Sequence, residues 1–338
     1  MTSVELGARF LGVAAAAALA TVLLARLAPR IAWTDAPSAA DAGRKRQRRA
    51  VPTVGGAALL LALLAAPVTG FDAGELDSLA ASWPEPRWLA LSLAALLAVG
   101  TLDDRFALAP LSKSVLSLAA CLPLAVGAAE RGAPAWALAL AVGAFGAGQV
   151  LNTFDNADGA LAGLCAAGFL VPQPFVAAAC LGFLPLNLDA GSARNRSAAA
   201  PSAYLGDAGA FVLGFLVLAT PRAWGILWLP LLDLARLSWV RIAAGSRPWI
   251  GDRRHLAHRM QRRGLSPAAV AALQALLALP AVLLVDRAIA TGSCGPALLG
   301  LGLSALGFAL AVRASRDPAG RAELSADGVP CPPPPASE

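Results

Sequence analysis

Long apolar segments recur along the whole chain and alternate with short polar connections. Eleven of them come close to the ~20 residues that a helix needs to cross a lipid bilayer. They run near 6–28, 53–70, 87–101, 111–129, 134–151, 159–172, 174–190, 206–220, 223–240, 267–286 and 295–313. Only helices and closed barrels span lipid, and the strict alternation of barrel strands is absent. The pattern therefore predicts an all-α, polytopic membrane protein with about eleven transmembrane helices.

Composition strengthens this prediction. The chain is 57% hydrophobic and 14% charged, whereas about 25% of a typical soluble domain is charged. The five cysteines form no C-x-x-C pair, which favours buried small side chains over disulfides or zinc ligands. The first apolar segment lacks a preceding basic region, so we expect a helix that remains in the protein rather than a signal peptide.

Charge gives the predicted orientation. Arginine and lysine concentrate in the connections 29–52 and 241–266. Basic loops stay in the cytoplasm, and an even number of segments separates these two, so both can lie on that side. The acidic connection 71–86 then falls outside, with the N-terminus outside and the C-terminus in the cytoplasm. These loops also explain the net charge of +6 without nucleic-acid binding, because no basic stretch is interleaved with aromatic residues.

The predicted organisation is a single integral membrane domain over residues 1–318, with no soluble domain and no internal repeat. The Pro-rich end of the chain, 319–338, is expected to be disordered.

The most informative polar stretch is residues 151–159, where Asn152, Asp155 and Asp158 are spaced three apart between two apolar segments. Polar side chains are costly at the edge of a membrane unless they bind something. Carboxylate and amide oxygens suit Mg²⁺, which also binds substrate phosphates. The alternative is ordinary helix capping at a loop.

Two further stretches carry carboxylates at segment ends. Asp103 and Asp104 repel each other, which indicates a nearby cation, and Lys113 begins the next segment. Asp207 lies between glycines at the start of the eighth segment, where a helix N-terminus favours phosphate. The alternatives are a solvated helix end for the Asp pair, a snorkelling lysine and an N-cap aspartate.

The only two histidines, His255 and His258, lie three apart among arginines that include Arg259. On a helix they would share a face, and zinc would need further ligands that are not nearby. They therefore resemble a phosphate-binding group, although a positive-inside loop also explains the arginines. Asn187 is a further intramembrane polar residue, and we include it among the substrate-binding candidates.

The predicted topology puts the four loops with the carboxylates and histidines on the cytoplasmic face; these loops hold Asp103 and Asp104, Asn152, Asp155 and Asp158, Asp207, and His255 and His258. Carboxylates, a metal suited to a diphosphate and a basic group together indicate phosphoryl transfer from a nucleotide-linked donor to a lipid. A transporter is the alternative from a different class. However, its site would be expected near the bilayer midplane and often in repeated halves.

The motifs resemble a known family, the polyprenyl-phosphate N-acetylhexosamine-1-phosphate transferases. The resemblance runs from Asp35 to about Arg263. Besides the paired aspartates with Lys113, it rests on these stretches: Asp35-Ala36-Pro37, Val51 to Gly56, Asn152 to Gly159, Gly182 to Asn187, Leu205 to Gly209, and His255 to Arg259. The histidine stretch lacks a triple His, which favours the UDP-GlcNAc:undecaprenyl-phosphate GlcNAc-1-phosphate transferase branch.

The resemblance implies roles for individual residues. Asp207 is the first candidate for a Mg²⁺ ligand, with Mn²⁺ as an alternative ion, and Asn152 and Asp104 come next. Asp103 would handle the polyprenyl phosphate. Asp155 and Asp158 would line the nucleotide-sugar site. The substrate diphosphate or sugar would be held by Lys113, His255, His258 and Arg259.

The implied reaction transfers GlcNAc-1-phosphate from UDP-GlcNAc to undecaprenyl phosphate at the cytoplasmic face of a bacterial-type inner membrane, in cell-envelope polysaccharide synthesis. A phospho-MurNAc-pentapeptide translocase, another UDP-sugar specificity and a non-catalytic homologue are the alternatives, and a homodimer is left open. Three positions depart from the family pattern: Gln47 for a common His, Ala210 for Ser and Ala257 for His. They put the sugar in question, but none removes a carboxylate.

Overall fold

The computed structural model describes residues 3–36, 50–65, 86–188, 203–247 and 254–315. Within these ranges the chain is helical apart from connections, 3-10 turns and a two-residue antiparallel pair, β1 (Thr34–Asp35) with β2 (Val51–Pro52). The helices are α1 Ser3–Leu27, α2 Gly55–Ala65, α3 Pro86–Phe106, α4 Pro110–Glu130, α5 Pro134–Phe154, α6 Ala160–Phe169, α7 Pro174–Asn187, α8 Gly206–Ala219, α9 Trp228–Ala243, α10 Leu256–Arg262, α11 Pro267–Thr291 and α12 Cys294–Ala314.

Each of the eleven predicted segments overlaps a helix within the described residues, so the all-α class is confirmed. In the described ranges, five helical stretches are long and apolar enough to cross a bilayer, at Val4–Ile31, Pro110–Glu130, Trp136–Phe154, Pro267–Thr291 and Cys294–Ala314. Their outer surfaces are apolar: Leu298 on α12 is 70% exposed and Leu276 on α11 is 62% exposed. Exposed leucine over whole helices is typical of a membrane-embedded protein. The number of eleven spans and their orientation stay predictions.

Shorter helices fill the middle of the bundle. Helix α6 has ten residues, about 15 Å of rise against a hydrocarbon core of about 30 Å. Most of its residues are buried, as are most of the fourteen residues of α8. Helices α1 and α12 are much less buried and lie at the outside. The chain thus surrounds short inner helices with long outer ones.

Local sequence signals explain where several helices begin and end. Helices α4, α5, α7 and α11 carry proline in their first turn, where the missing N–H costs no hydrogen bond. At the start of α11 the Ser266 hydroxyl accepts from the backbone N–H of Ala269 at 3.2 Å. The same helix ends at Gly292 in a left-handed conformation with φ 65°, a common helix terminator.

Polar ends of several helices meet at one end of the bundle, here called the site end. Helices α3 and α5 end there, while α4 and α8 begin there, because residues from these termini contact one another. The first turns of α6 and α11 also lie next to each other, because a Cβ added at Gly163 would be 3.3 Å from the Cβ of Ala271. Helix α6 begins just after the end of α5, so the start of α11 lies at the site end as well. Helix α10, which directly precedes α11, therefore belongs to the site end too.

Close backbone contact holds α3 against α8. A Cβ added at Gly100 would lie 2.3 Å from the Cα of Ala208, so only glycine allows this approach. Small residues at helix contacts are how membrane helices pack closely without a hydrophobic driving force between them. This contact sets the distance between the end of α3 and the start of α8, where the candidate residues lie.

We expect Gly100→Ala to lower the stability of the protein by roughly 1–3 kcal/mol, because the added methyl group overpacks the contact with α8. The matched control is Gly146→Ala on α5, where an added Cβ meets no atom within 4 Å. Thermal unfolding in detergent measures both. Equal melting temperatures for the two variants would contradict the close α3–α8 contact.

Candidate functional site

Five of the predicted residues meet in a single group at the site end: Asp103, Asp104, Lys113, Asn152 and Asp207, here called the carboxylate cluster. They come from α3, α4, α5 and α8, four helices that the chain reaches at widely separated positions. The Lys113 ammonium lies 2.8 Å from Asp103 Oδ2 and also contacts Asp207 Oδ2. All three side chains are partly buried, so the charges are compensated within the protein.

Asn152 completes the contacts around the lysine. With its amide turned so that both polar atoms are satisfied, the oxygen accepts from Lys113 Nζ at 3.0 Å and the nitrogen donates to Asp207 Oδ1 at 2.8 Å. The Phe211 ring lies under the same ammonium, 5.6 Å from Nζ to the ring centroid, a favourable cation–π distance. The ammonium is therefore surrounded by oxygens from α3, α5 and α8.

Asp104 makes a different contact. Its Oδ1 accepts from the backbone N–H of Asp207 at 2.9 Å, and its Oδ2 accepts from that of Ala208 at 3.4 Å. The first N–H groups of a helix have no partner inside the helix, and a carboxylate at that end also suits the helix dipole. Asp104 therefore caps α8 from a neighbouring helix and fixes where Asp207 lies.

Backbone geometry on both sides supports this arrangement. Gly206 has φ +74°, and a Cβ there would lie 2.4 Å from Asp104 Oδ2, so a side chain is excluded on both grounds. On the other helix, Asp103 Oδ1 accepts from the backbone N–H of Leu108 at 2.8 Å. This bond holds the turn between α3 and α4, so that Asp103 and Lys113 face each other.

The loop after α5 carries Asp155 and Asp158 to the same end. Burial, and to a smaller extent the negative charges of Asp158 and Asp104, raise the pKa of Asp155 to about 7. The influence of Asp104 links this loop to the carboxylate cluster. A carboxyl group with a pKa near 7 exchanges its proton at neutral pH, which is common among residues that act on a substrate.

Asn187 lies at the end of α7 and is 2% exposed. Its Oδ1 accepts from the backbone N–H of Gly159 at 2.9 Å, and its Nδ2 donates to the carbonyl of Ala203 at 3.1 Å. The amide joins the loop that carries Asp158 to the segment that leads into Asp207. Its role in substrate binding stays a prediction.

The segment before α8 is held by backbone hydrogen bonds on two sides. Ala203 donates to the carbonyl of Leu186, Tyr204 donates to that of Pro52, and Gly55 donates to that of Tyr204. Through these bonds, the stretches Val51–Gly56 and Gly182–Asn187 are attached to the segment that leads into Asp207. They form the support for the start of α8.

The histidines lie in and beside the short helix α10. His258 is inside the helix, but His255 is the residue before its first turn, with φ −53° and ψ 148°. The two histidines therefore do not both lie within the helix, and the expectation that they share one helical face is wrong. Their rings are still neighbours, with centroids 6.4 Å apart and an angle of 80° between the ring planes. Arg259 is buried and donates to the carbonyl of Val312 at 2.9 Å, which attaches α10 to the end of α12.

Sequence reasoning missed Asp233 on α9, which is 2% exposed and lies 3.0 Å from His255 Nδ1 through its Oδ2. Arg236, one turn further along, donates to the other oxygen at 2.9 Å. The signal was present in the chain: an aspartate inside an apolar segment, with an arginine three residues later, is rarely tolerated without a function.

The donor chemistry of the cluster fits a magnesium ion in part. Among the described residues no group of three or more His, Cys, Asp or Glu side chains converges as a metal site. Mg²⁺ needs fewer, because it usually binds one or two carboxylates together with substrate phosphates and water. Oxygens of Asp207 and Asn152 both face the Lys113 ammonium, so they converge on one positive charge. Both Asp104 oxygens accept backbone hydrogen bonds instead.

Two of the three departures from the family pattern lie in the described part of the chain. Ala210 and Ala257 are both fully buried and belong to the hydrophobic core, whereas Gln47 lies outside the described residues. A scan against protein-family models found no match to this chain, and a search of curated proteins found none either. The family resemblance therefore rests on the motifs alone.

We expect Asn187→Ala to destabilise the protein, because it leaves a buried N–H and a buried carbonyl without their partner, at roughly 1–3 kcal/mol for each group. Gln149→Ala is the control, since that partly buried amide makes a 3.3 Å bond to Ser117. Thermal unfolding in detergent separates the two. An Asn187→Ala protein as stable as the Gln149→Ala protein would remove Asn187 from its bridging role.

Proposed function

We propose that this protein is a membrane-embedded, Mg²⁺-dependent transferase that moves a sugar-1-phosphate, most simply GlcNAc-1-phosphate, from a UDP-sugar to a polyprenyl phosphate and releases UMP. One observation carries the proposal. Five residues chosen from separate motifs come together at one end of a membrane-type helical bundle. A structural role for each motif alone would not require them to meet.

The charge pattern of the site suits the two substrates. A phosphate monoester has a second pKa of about 6, so the lipid phosphate is mostly dianionic at neutral pH and needs little help from a base. In the proposed reaction its oxygen attacks the phosphorus that carries the sugar. The bond from that phosphorus to the bridging oxygen breaks, and UMP leaves with that oxygen.

The residues of the chain would position these groups. Lys113 can donate to a phosphate oxygen, and its present partners Asp103 and Asp207 hold it at the meeting point of four helices. Asp103 faces the same position and can take a remaining proton from the lipid phosphate or orient it. Asp155, with a pKa of about 7, and Asp158 lie on the adjoining loop, where they can accept hydrogen bonds from a nucleotide sugar.

A magnesium ion would be held by Asp207 and Asn152, and it would take the place where their oxygens now meet the Lys113 ammonium. When bound it would offset the negative charge of the diphosphate during transfer. The role of Asp104 is then to hold the start of α8, and with it Asp207, through the two backbone hydrogen bonds.

The membrane arrangement is part of the proposal. Eleven spans with the N-terminus outside would put the site end on the cytoplasmic face, where nucleotide sugars occur, with the polyprenyl chain in the surrounding lipid. This corresponds to a bacterial-type inner membrane. The donor sugar is the least constrained element, and phospho-MurNAc-pentapeptide or another UDP-sugar remains the alternative.

The purified protein is expected to release UMP from UDP-GlcNAc only when undecaprenyl phosphate and Mg²⁺ are both present. Detection of UMP, with each component omitted in turn, measures this. Release from a different UDP-sugar alone would keep the reaction and replace the donor. An absence of release with every donor tested would contradict the proposal.

Asp207→Asn is expected to lower UMP release by at least roughly 100-fold, since metal stabilisation of charge is worth several kcal/mol. The control is Asp286→Asn on α11, which removes a carboxylate that pairs with Arg222 at 2.6 Å and takes no part in the cluster. Equal turnover in the two variants would contradict the role of Asp207.

A further inference from the structure

The carboxylate of Asp233 is buried in the middle of an apolar helix and is fully engaged. Arg236 donates to its Oδ1 through Nη2 at 2.9 Å and through Nε at 3.2 Å. His255 Nδ1 lies 3.0 Å from its Oδ2, and the backbone N–H of Leu256 lies 3.4 Å from both oxygens. A buried ionised group is tolerated when its oxygens are paired in this way.

Asp233 also completes the start of α10. The side chain of His255, the residue before the first turn, makes no capping bond, and the N–H of Leu256 is directed at Asp233 instead. Arg236 donates a further bond to the carbonyl of Arg254 at 2.6 Å. Asp233 and Arg236, one turn apart on α9, therefore hold the backbone of Arg254 and Leu256 on either side of His255, and Asp233 also holds the His255 ring.

The contact with Asp233 also selects the protonation pattern of the ring. An ionised carboxylate only accepts hydrogen bonds, so Nδ1 of His255 must carry the proton. In the neutral ring this leaves Nε2 with a free electron pair. The hydrogen bond at one ring nitrogen thus decides what the other nitrogen can do.

The His255 ring in turn supports His258. Its plane stands at 80° to the His258 ring, with centroids 6.4 Å apart. His255 is 5% exposed whereas His258 is partly exposed. Of the two rings, His258 is therefore the more accessible to a ligand, and His255 forms its support.

We propose that Asp233 is a positioning residue: it keeps His255 protonated at Nδ1 and thereby holds the His255–His258 pair so that His258 faces the phosphate groups of the substrate. Nothing in the motif pattern assigns this aspartate. The effect on turnover rests on the proposed function, whereas the effect on the ring does not. The competing interpretation is that Asp233 only caps α10 and neutralises Arg236.

The chain offers a direct test because His255 and His258 are its only histidines. The full-length protein labelled with ¹⁵N-histidine gives two sets of ring signals, and a His258→Gln variant assigns them. At about pH 8 we expect His255 of the wild-type protein to be protonated at Nδ1. An unprotonated Nδ1 would overturn the proposal.

Asp233→Asn sharpens the test. Because Arg236 donates twice to one oxygen, the amide oxygen is expected to stay there and the amide NH₂ to face His255. An NH₂ group donates, so His255 should become unprotonated at Nδ1 and carry its proton at Nε2. Such a change of tautomer, without a change of fold, is known from aspartates that orient catalytic histidines. The control, Asp286→Asn, should leave both ring signals unchanged.

Turnover then distinguishes positioning from simple capping. Asp233→Asn should lower kcat/KM for UMP release by at least about tenfold, the lower end of what outer partners of a functional group contribute. Asp233→Glu, which keeps the carboxylate, should restore the Nδ1 proton and part of the activity. A change of tautomer with unaltered kcat/KM would overturn the positioning role. A wild-type protein that releases no UMP would instead contradict the proposed function, and the ring signals would still decide whether Asp233 orients His255.

Discussion

The hydrogen bonds from the start of α8 to Asp104 are the interaction on which the rest of the site depends. The first N–H groups of a helix have no partner inside the helix, and leaving them without partners in a partly buried place is costly. Asp104 supplies the acceptor from the end of α3. The close approach at Gly100 and the left-handed Gly206 make this contact possible. Asp207 is placed by this contact, and Asn152 and Lys113 are arranged around Asp207.

A second framework of similar design holds the histidines. In both places an acidic side chain from one helix accepts backbone N–H groups at the start of another and also contacts a candidate residue or its backbone: Asp104 holds Asp207, and Asp233 holds His255. Asn187 has a similar structural role with a neutral amide, which hydrogen-bonds to the backbone of two different loops. The candidate groups at the site end are thus attached to helix termini. Two of the supporting groups, Asn187 and Asp233, are almost fully buried, and there each hydrogen bond counts for more.

The sequence predicted the helices well because apolar segments of membrane length leave few alternatives. It also predicted the carboxylate cluster, since polar residues at the ends of such segments are rare and their order implied a common face. It did not predict that both oxygens of Asp104 would accept hydrogen bonds from backbone N–H groups, or that Asn187 would bridge two loops. Those contacts depend on how closely α3, α7 and α8 approach, which periodicity does not encode. Asp233 was overlooked because the apolar residues around it dominate the pattern, and the His255 geometry depends on the turn before α10.

The layered burial of the helices has a consequence for how such a chain can change over time. On the outer helices α1 and α12 most positions are exposed or only partly buried, and at an exposed position that faces lipid any apolar residue of suitable length is acceptable. The inner contacts, such as Gly100 against Ala208, leave almost no choice. Amino-acid substitutions are therefore expected to accumulate first on the outer helices and last at the inner contacts. Two chains of this architecture can lose most of their overall identity and still keep the same small set of inner residues in the same order.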